Sequence, residues 1–199
     1  FLYSYHEFYL VRMSKTMNKV VAIVGMAGAG KSEVAQMFEA KGFARIRFGD
    51  ITDIELKKRG MEINEENERY CRERLREDHG MAAYALLNQP RINKELKKSN
   101  VVLDGLYSWE EYLSFKDYYK EDFFVVAVYA SPLIRHERLG KRKVRPLTPE
   151  EAQERDKSEI ENLNKGGPIA VANYTIINEQ QIDYLRLQTE VVIGRLNKI

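Results

Sequence analysis

One cysteine, five prolines and one tryptophan among 199 residues leave this chain with few special constraints, and each scarcity excludes something. Cys71 has no partner for an internal disulfide, so the fold has to rest on its core, and a lone thiol fits a reducing, cytoplasmic setting. A chain of this length buries roughly 70% of its unfolded surface and needs no disulfide or metal staple. No apolar run approaches the ~20 residues of a membrane-spanning helix, so no membrane association is expected. An excess of one charge is missing too. Lys and Arg number 32 against 30 Asp and Glu, a net charge of +2, and no nucleic-acid partner is expected from that balance. No repeat, low-complexity tract or linker divides the chain, and at roughly 150 residues per domain it reads as one domain.

The first 16 residues, FLYSYHEFYLVRMSKT, lack the apolar core and small-residue cleavage site of a signal peptide. They read as an N-terminal extension, 1–16, with Met13 and Met17 as candidate starts of the working domain at 17–199. The other reading is an aromatic arm of Phe1, Tyr3, Tyr5, Phe8 and Tyr9 that docks on a neighbouring subunit.

What is present is an alternation of short apolar runs and amphipathic stretches. KVVAIV at 19–24, FARIRF at 43–48, VVLDG at 101–105, FFVVAVYA at 123–130 and YTIIN at 174–178 read as strands. Helices are expected at 32–41, from a Thr52-x-x-Glu55 capping box to Gly60, over 64–78, and through 81–98 with a break at Pro90. Further helices are expected at 132–139, from a Thr148 cap with Pro149 in its first turn, and at the C-terminus with Leu185, Val192 and Leu196 facing inward. Apolar strands separated by helices predict a three-layer α/β/α sandwich around a five-stranded parallel sheet.

One motif dominates the chemistry. Gly25-Met26-Ala27-Gly28-Ala29-Gly30-Lys31-Ser32 fits G-x-x-x-x-G-K-[ST] between a strand and a helix, the setting of a P-loop. Its glycines let successive N–H groups point at phosphate oxygens, and the following helix adds its positive end. Lys31 offers a charge to the β- and γ-phosphates, and Ser32 offers a hydroxyl to Mg²⁺. These eight residues and Glu33 are the candidate nucleotide-binding set. Asp104 ends the third strand, at the sheet edge where ligands bind in open α/β folds, and is the second candidate Mg²⁺ ligand.

With those motifs the chain resembles P-loop small-molecule kinases of the adenylate-kinase and dephospho-CoA-kinase group, from residue 19 to about 197. FGDITDIELKKRG at 48–60 resembles the segment after the second strand of nucleoside monophosphate kinases. SPLIRHERL at 131–139, TPEEAQERD at 148–156 and ANYTIIN at 172–178 resemble dephospho-CoA kinases more closely. The resemblance implies ATP and Mg²⁺ as cofactors, a small-molecule acceptor, an acceptor-side helical flap at about 53–98 and a lid at about 139–148.

Departures from the pattern bear on the acceptor. Monophosphate kinases of this group carry an Arg where this chain has Asp53, and another just after the third-strand DG, where this chain has Leu106-Tyr107-Ser108. Without those bidentate clamps a standard AMP site is doubtful. A hydroxyl acceptor needs a carboxylate instead, and Asp50 resembles the acceptor-side Asp of dephospho-CoA kinases. Arg138, Arg142 and Arg145, within a basic stretch that begins at Arg135, lie where the lid would bring them onto the moving phosphoryl group. Arg155 is expected to pair with Glu151 or Glu159 one turn away. His136 is expected to be solvated and His79 to end a helix. The resulting expectation is an ATP- and Mg²⁺-dependent kinase, with dephospho-CoA as the favoured acceptor and Lys31, Asp50, Arg138, Arg142 and Arg145 as catalytic residues. A monophosphate kinase with an atypical clamp and a regulatory NTP-binding switch remain alternatives.

Overall fold

The computed structural model describes residues 18–143 and 145–199. The extension expected at 1–16, with its aromatic arm, lies outside the described residues. Strands β1 (Val20–Val24), β2 (Ala44–Arg47), β3 (Val101–Asp104), β4 (Phe123–Tyr129) and β5 (Tyr174–Ile177) form one parallel sheet in the order β2-β3-β1-β4-β5. Ile23 is in register with Asp104 on one side and Val126 on the other, and Arg47 is in register with Asp104. The carboxyl ends of the three strands β1, β2 and β3 therefore finish at one edge.

Every residue of β1 is fully buried, as a central strand covered on both faces must be. Side chains alternate across it. Val20, Ala22 and Val24 face one core with Tyr84, Leu103, Phe115 and Val125, whereas Val21 and Ile23 face another with Phe38, Ile176, Leu185, Val192 and Leu196. The three layers expected from the sequence are present, and so is the inward face of the C-terminal helix.

The helices are α1 (Lys31–Ala40), α2 (Asp50–Arg59), α3 (Glu65–His79), α4 (Ala83–Glu95), α5 (Trp109–Tyr119), α6 (Pro132–Gly140), α7 (Pro149–Glu161), α8 (Gly166–Ala170) and α9 (Ile182–Leu196). Thr148 opens α7 with a full capping box to Glu151 and Pro149 in the first turn, as expected. Three boundaries differ from expectation. Helix α2 starts at Asp50 rather than after Thr52. Thr52 is buried instead, its hydroxyl 2.6 Å from the Tyr84 hydroxyl, while Glu55 bonds Arg59 at 2.6 Å. A capping box that the sequence reading passed over, Ser108-x-x-Glu111, opens α5.

Pro90 does not divide α4, which runs unbroken from Ala83 to Glu95. Buried Tyr84, Ala85, Asn88 and Ile92 hold both halves against the core, and Asn88 Nδ2 donates to the Tyr84 and Phe48 carbonyls at 2.9 and 3.2 Å. The carbonyl that Pro90 leaves without its donor belongs to solvent-exposed Leu86, where water can satisfy it. Tertiary packing therefore overrides a local helix breaker. Because the helix persists at this cost, Pro90→Ala is expected to stabilise the protein by about 1 kcal/mol or more by restoring the missing bond; a higher urea midpoint at unchanged slope is the measurement.

Candidate active site

The glycine-rich turn joins β1 to α1, and its backbone is unusual at each glycine: φ is 146° at Gly25, 80° at Gly28 and 96° at Gly30. Their neighbours leave no room for a side chain either. A Cβ on Gly28 would lie 2.7 Å from the Arg135 carbonyl oxygen, and one on Gly30 would lie 2.2 Å from Asn178 Nδ2. Three of the turn's carbonyls are taken up by side chains of the protein. Met26 C=O accepts from Lys31 Nζ at 3.0 Å, Ala27 C=O from Arg135 Nη1 at 3.1 Å, and Ala29 C=O from Asn178 Nδ2 at 2.8 Å. With the carbonyls turned away, the N–H groups of Gly28, Gly30, Lys31 and Ser32 have no acceptor among the described residues, as the start of a helix requires. They are the part of the turn that can receive an anion. Two other N–H groups of the expected set are already engaged: Ala27 N–H donates to Glu159 Oε2 at 3.1 Å, and Ala29 N–H to the Met26 carbonyl at 3.2 Å.

The mouth of the turn opens on a cavity of about 440 Å³ lined by Gly28, Gly30, Lys31, Ser32, Glu33, Arg138, Arg142 and Asn178, among others. Arg138 reaches Asn178 Oδ1 at 3.5 Å through Nη2, while its Nη1 is buried with no acceptor among the described residues. That stranded donor fits an incoming anion. Arg142 lines the same cavity. Arg145 is not brought there. It is ion-paired to Glu65 and Glu68 of α3, at 2.9 Å each, because the α6–α7 connection carries it across to the acidic start of that helix.

Arg135, the first member of the basic stretch, is a structural residue rather than a lid cation. It is 4% exposed, grips Asp156 of α7 with two bonds of 2.7 Å, and donates to the Ala130 and Ala27 carbonyls. His136 is not solvated as expected but sits 2.9 Å from the same Asp156. Arg155 pairs with Glu159 at 3.6 Å.

Ser32 and Asp104 do meet: the serine hydroxyl donates to Asp104 Oδ1 at 3.1 Å. Asp104 Oδ2 is held by Arg45 of β2, a partner the sequence reading did not single out. The Ser32–Asp104 oxygens suit a hard divalent cation. No group of three or more His, Cys, Asp or Glu that could hold a metal occurs among the described residues, so phosphate oxygens would have to complete the coordination shell.

Asp50, at the first position of α2, follows β2, which lies two strands from the β1 that carries the P-loop. Arg91 Nη2 of α4 donates to its Oδ2 at 2.8 Å, and Arg47 lies 3.5 Å from its Oδ1. Neither arginine was marked in sequence, because α4 only meets the β2 edge after the chain folds.

Charge is concentrated behind the loop. Lys165, between α7 and α8, is 3% exposed and its Nζ donates to Glu159 Oε2 at 2.9 Å. Desolvation, and then the neighbouring Lys165 ammonium, lower the Lys31 pKa to about 7. Burial opposes charge on Glu159, but Lys165 and Lys31 hold its carboxyl below the usual range. Burial raises Glu111 to about 7 against the Tyr107 and Ser108 N–H groups that its Oε2 accepts at 2.6 and 3.1 Å.

Comparison with known proteins places this arrangement. A family model described as an AAA domain matches residues 21–164. A UPF0200 protein of Pyrococcus abyssi is 34% identical over 181 residues, covering 89% of this chain and 96% of that protein. One of Thermococcus gammatolerans is 36% identical over 187 residues, covering 90% and 98%. The chain belongs to the UPF0200 family. The UPF0200 chain has the P-loop small-molecule kinase fold. It matches a gluconokinase from Sinorhizobium meliloti (TM-score 0.56, 14% identity, 92% of this chain and 96% of that one). It also matches a shikimate kinase from Acinetobacter baumannii (0.56, 19%, 94% and 97%) and a dephospho-CoA kinase from Campylobacter jejuni (0.55, 15%, 92% and 100%). Among the described residues of this UPF0200 protein, no helix is long and apolar enough to cross a membrane.

Two outcomes are expected. Arg135→Leu leaves Asp156 without its bidentate partner and should destabilise the fold by about 3 kcal/mol, read from denaturant unfolding. Burial lowers the Lys31 pKa to about 7 in the free protein, whereas a bound triphosphate would favour its ammonium. ATP binding at pH 8 should therefore take up close to one proton, and at pH 6 almost none, as calorimetry in buffers of different ionisation heat would show.

Proposed function

We propose that the protein transfers the γ-phosphoryl group of ATP to a hydroxyl of a small, nucleotide-like acceptor, with dephospho-CoA as the favoured one. The observation that carries this reading is a cavity lined by the loop glycines, Lys31, Ser32, Arg138 and Arg142, onto which open loop N–H groups that have no acceptor among the described residues. In this reading Gly28, Gly30, Lys31 and Ser32 receive the phosphates. Arg138 and Arg142 neutralise charge on the moving group. Ser32 and Asp104 would hold Mg²⁺, which would supply charge neutralisation for the phosphates. The acceptor oxygen attacks the γ-phosphorus as the bond to the leaving ADP oxygen breaks, and the hydroxyl proton passes to Asp50. Arg91 orients that carboxylate toward the acceptor. Residues 53–98 act as the flap over the acceptor and 139–148 as the lid over the nucleotide.

One observation favours a second reading. Arg47 and Arg91 converge on Asp50 from β2 and α4. They replace, from different elements, the arginines missing at Asp53 and after Gly105, and such a pair could grip the phosphate of a nucleoside monophosphate.

ADP release with ATP, Mg²⁺ and a panel of acceptors separates the two. Dephospho-CoA should raise the acceptor-free rate about 100-fold or more, and Asp50→Asn should then lower kcat about 100-fold while ATP affinity stays within about twofold. Stimulation by a monophosphate alone selects the second reading, and stimulation by no acceptor defeats both.

A further inference from the structure

Lys165 belongs to no motif, yet the fold invests a good deal in its placement. It follows Asn164, at φ 50°, in the short turn between α7 and α8. Trp109 closes over the start of α8 so tightly that a Cβ on Gly167 would lie 2.6 Å from its ring. The Lys165 N–H donates to the Glu159 carbonyl at 3.2 Å, and its Nζ to Glu159 Oε2 at 2.9 Å. The same Oε2 accepts the Ala27 N–H of the P-loop. On its other side the ammonium lies 5.8 Å from the centroid of the Tyr107 ring. Tyr107 in turn abuts the residue before Asp50, since a Cβ on Gly49 would lie 3.3 Å from the tyrosine hydroxyl. Lys165 is thus interposed between the donor loop and the turn that carries the acceptor-side carboxylate.

Lys31 and Lys165 both lie in the field of Glu159, which is 8% exposed, with Asp104 the next carboxylate for Lys31 and Glu111 for Lys165, and burial presses the pKa of both lysines down. A buried lysine is costly to keep where an apolar side chain would pack, and two lysines this close to the loop suit a polyanion entering from the loop side.

Building on the phosphoryl-transfer reading above, we propose that Lys165 contacts the terminal phosphoryl group of ATP as it moves toward the acceptor, and that Glu159 is the positioning residue that holds the ammonium there. Lys165 keeps its proton throughout. It contributes charge to the oxygens of the transferred group while the bond to ADP breaks and the bond to the acceptor forms.

Lys165→Gln removes the charge and keeps a donor toward Glu159, so the tie of Glu159 to the Ala27 N–H stays in place and the fold is expected to survive, with a thermal scan as the check. Where its melting transition is lost, Lys165→Met carries the same test. The variant should bind ADP within about threefold of wild type but ATP about tenfold more weakly or worse, and kcat should fall about 100-fold at nearly constant acceptor KM. Lys165→Arg should recover about tenfold or more of that loss, because it restores the charge. An unchanged ATP-to-ADP affinity ratio overturns the proposal, as does a rise in acceptor KM at unchanged kcat. The affinity arm needs no acceptor. Selective loss of ATP binding in a protein that no acceptor stimulates would defeat the kinase reading and leave the contact of Lys165 with the terminal phosphate standing.

Discussion

The peptide unit at Ala27 is where the architecture is fastened to the chemistry. Its carbonyl accepts from Arg135 and its N–H donates to Glu159, so both polar ends of one residue are held by buried side chains from α6 and α7. Arg135 is itself fixed by Asp156, one turn before Glu159 on the same helix. A glycine-rich turn left to itself has many conformations. Here the turn is held at Ala27 from one side and at Ala29, by Asn178, from the other. The N–H groups between and after these two ties are the ones left facing the cavity. Pre-orientation of this kind gives electrostatic stabilisation its effect, because the dipoles need not reorganise when charge arrives.

The same fastening explains why so many charges sit behind the loop when the chain as a whole is nearly neutral. Arg135, Glu159 and Lys165 are each less than a tenth exposed, and each is paired, as burial demands. Lys31 and Lys165 both feel Glu159, and Lys165 also feels Glu111. Across the sheet edge the balance is different: Asp50 is met by two arginines, and Asp104 by Arg45 and Ser32. One side of the edge gathers buried lysines around Glu159, and the other holds carboxylates already oriented by guanidinium groups.

Much of this was legible in the sequence. A five-stranded parallel sheet, the loop between β1 and α1, the Thr148 cap and the meeting of Ser32 with Asp104 follow from apolar runs and local spacing, which are properties of neighbouring residues. The misreadings share one cause. Thr52 looked like a cap and Pro90 like a break because both are local signals, and in each case a partner from a distant segment or a packed face decided otherwise. Arg135 read as one of several basic residues before a lid. Nothing in SPLIRHERL says that its first arginine pairs with the Asp of TPEEAQERD. Lys165 and Arg91 carried no signal at all, one lying beside a pair of glycines and the other beside a proline. Their roles arise from burial and from long-range pairing, which a single sequence does not encode in its periodicity.

The ion pairs of α3 bear on how the flap and lid proposed for the site would be held. Most of them lie within the helix, such as Arg69 with Glu73 and Arg74 with Glu77 and Asp78. Exposed pairs one turn apart contribute only about 0.3–0.5 kcal/mol each, enough to keep a highly charged helix formed but not to place it. Arg145 is different, because it bridges from the α6–α7 connection to Glu65 and Glu68, nearly eighty residues away in sequence. The arginine is about half exposed, with a side-chain exposure of 47%, so water and salt compete for it and the bridge is worth about 1 kcal/mol at most. A contact of that size biases the relative position of two segments by several-fold and no more. If residues 139–148 open and close over the nucleotide as proposed, a tie this weak can form and break in each cycle. The buried grip of Arg135 on Asp156 would meanwhile keep the loop itself in place.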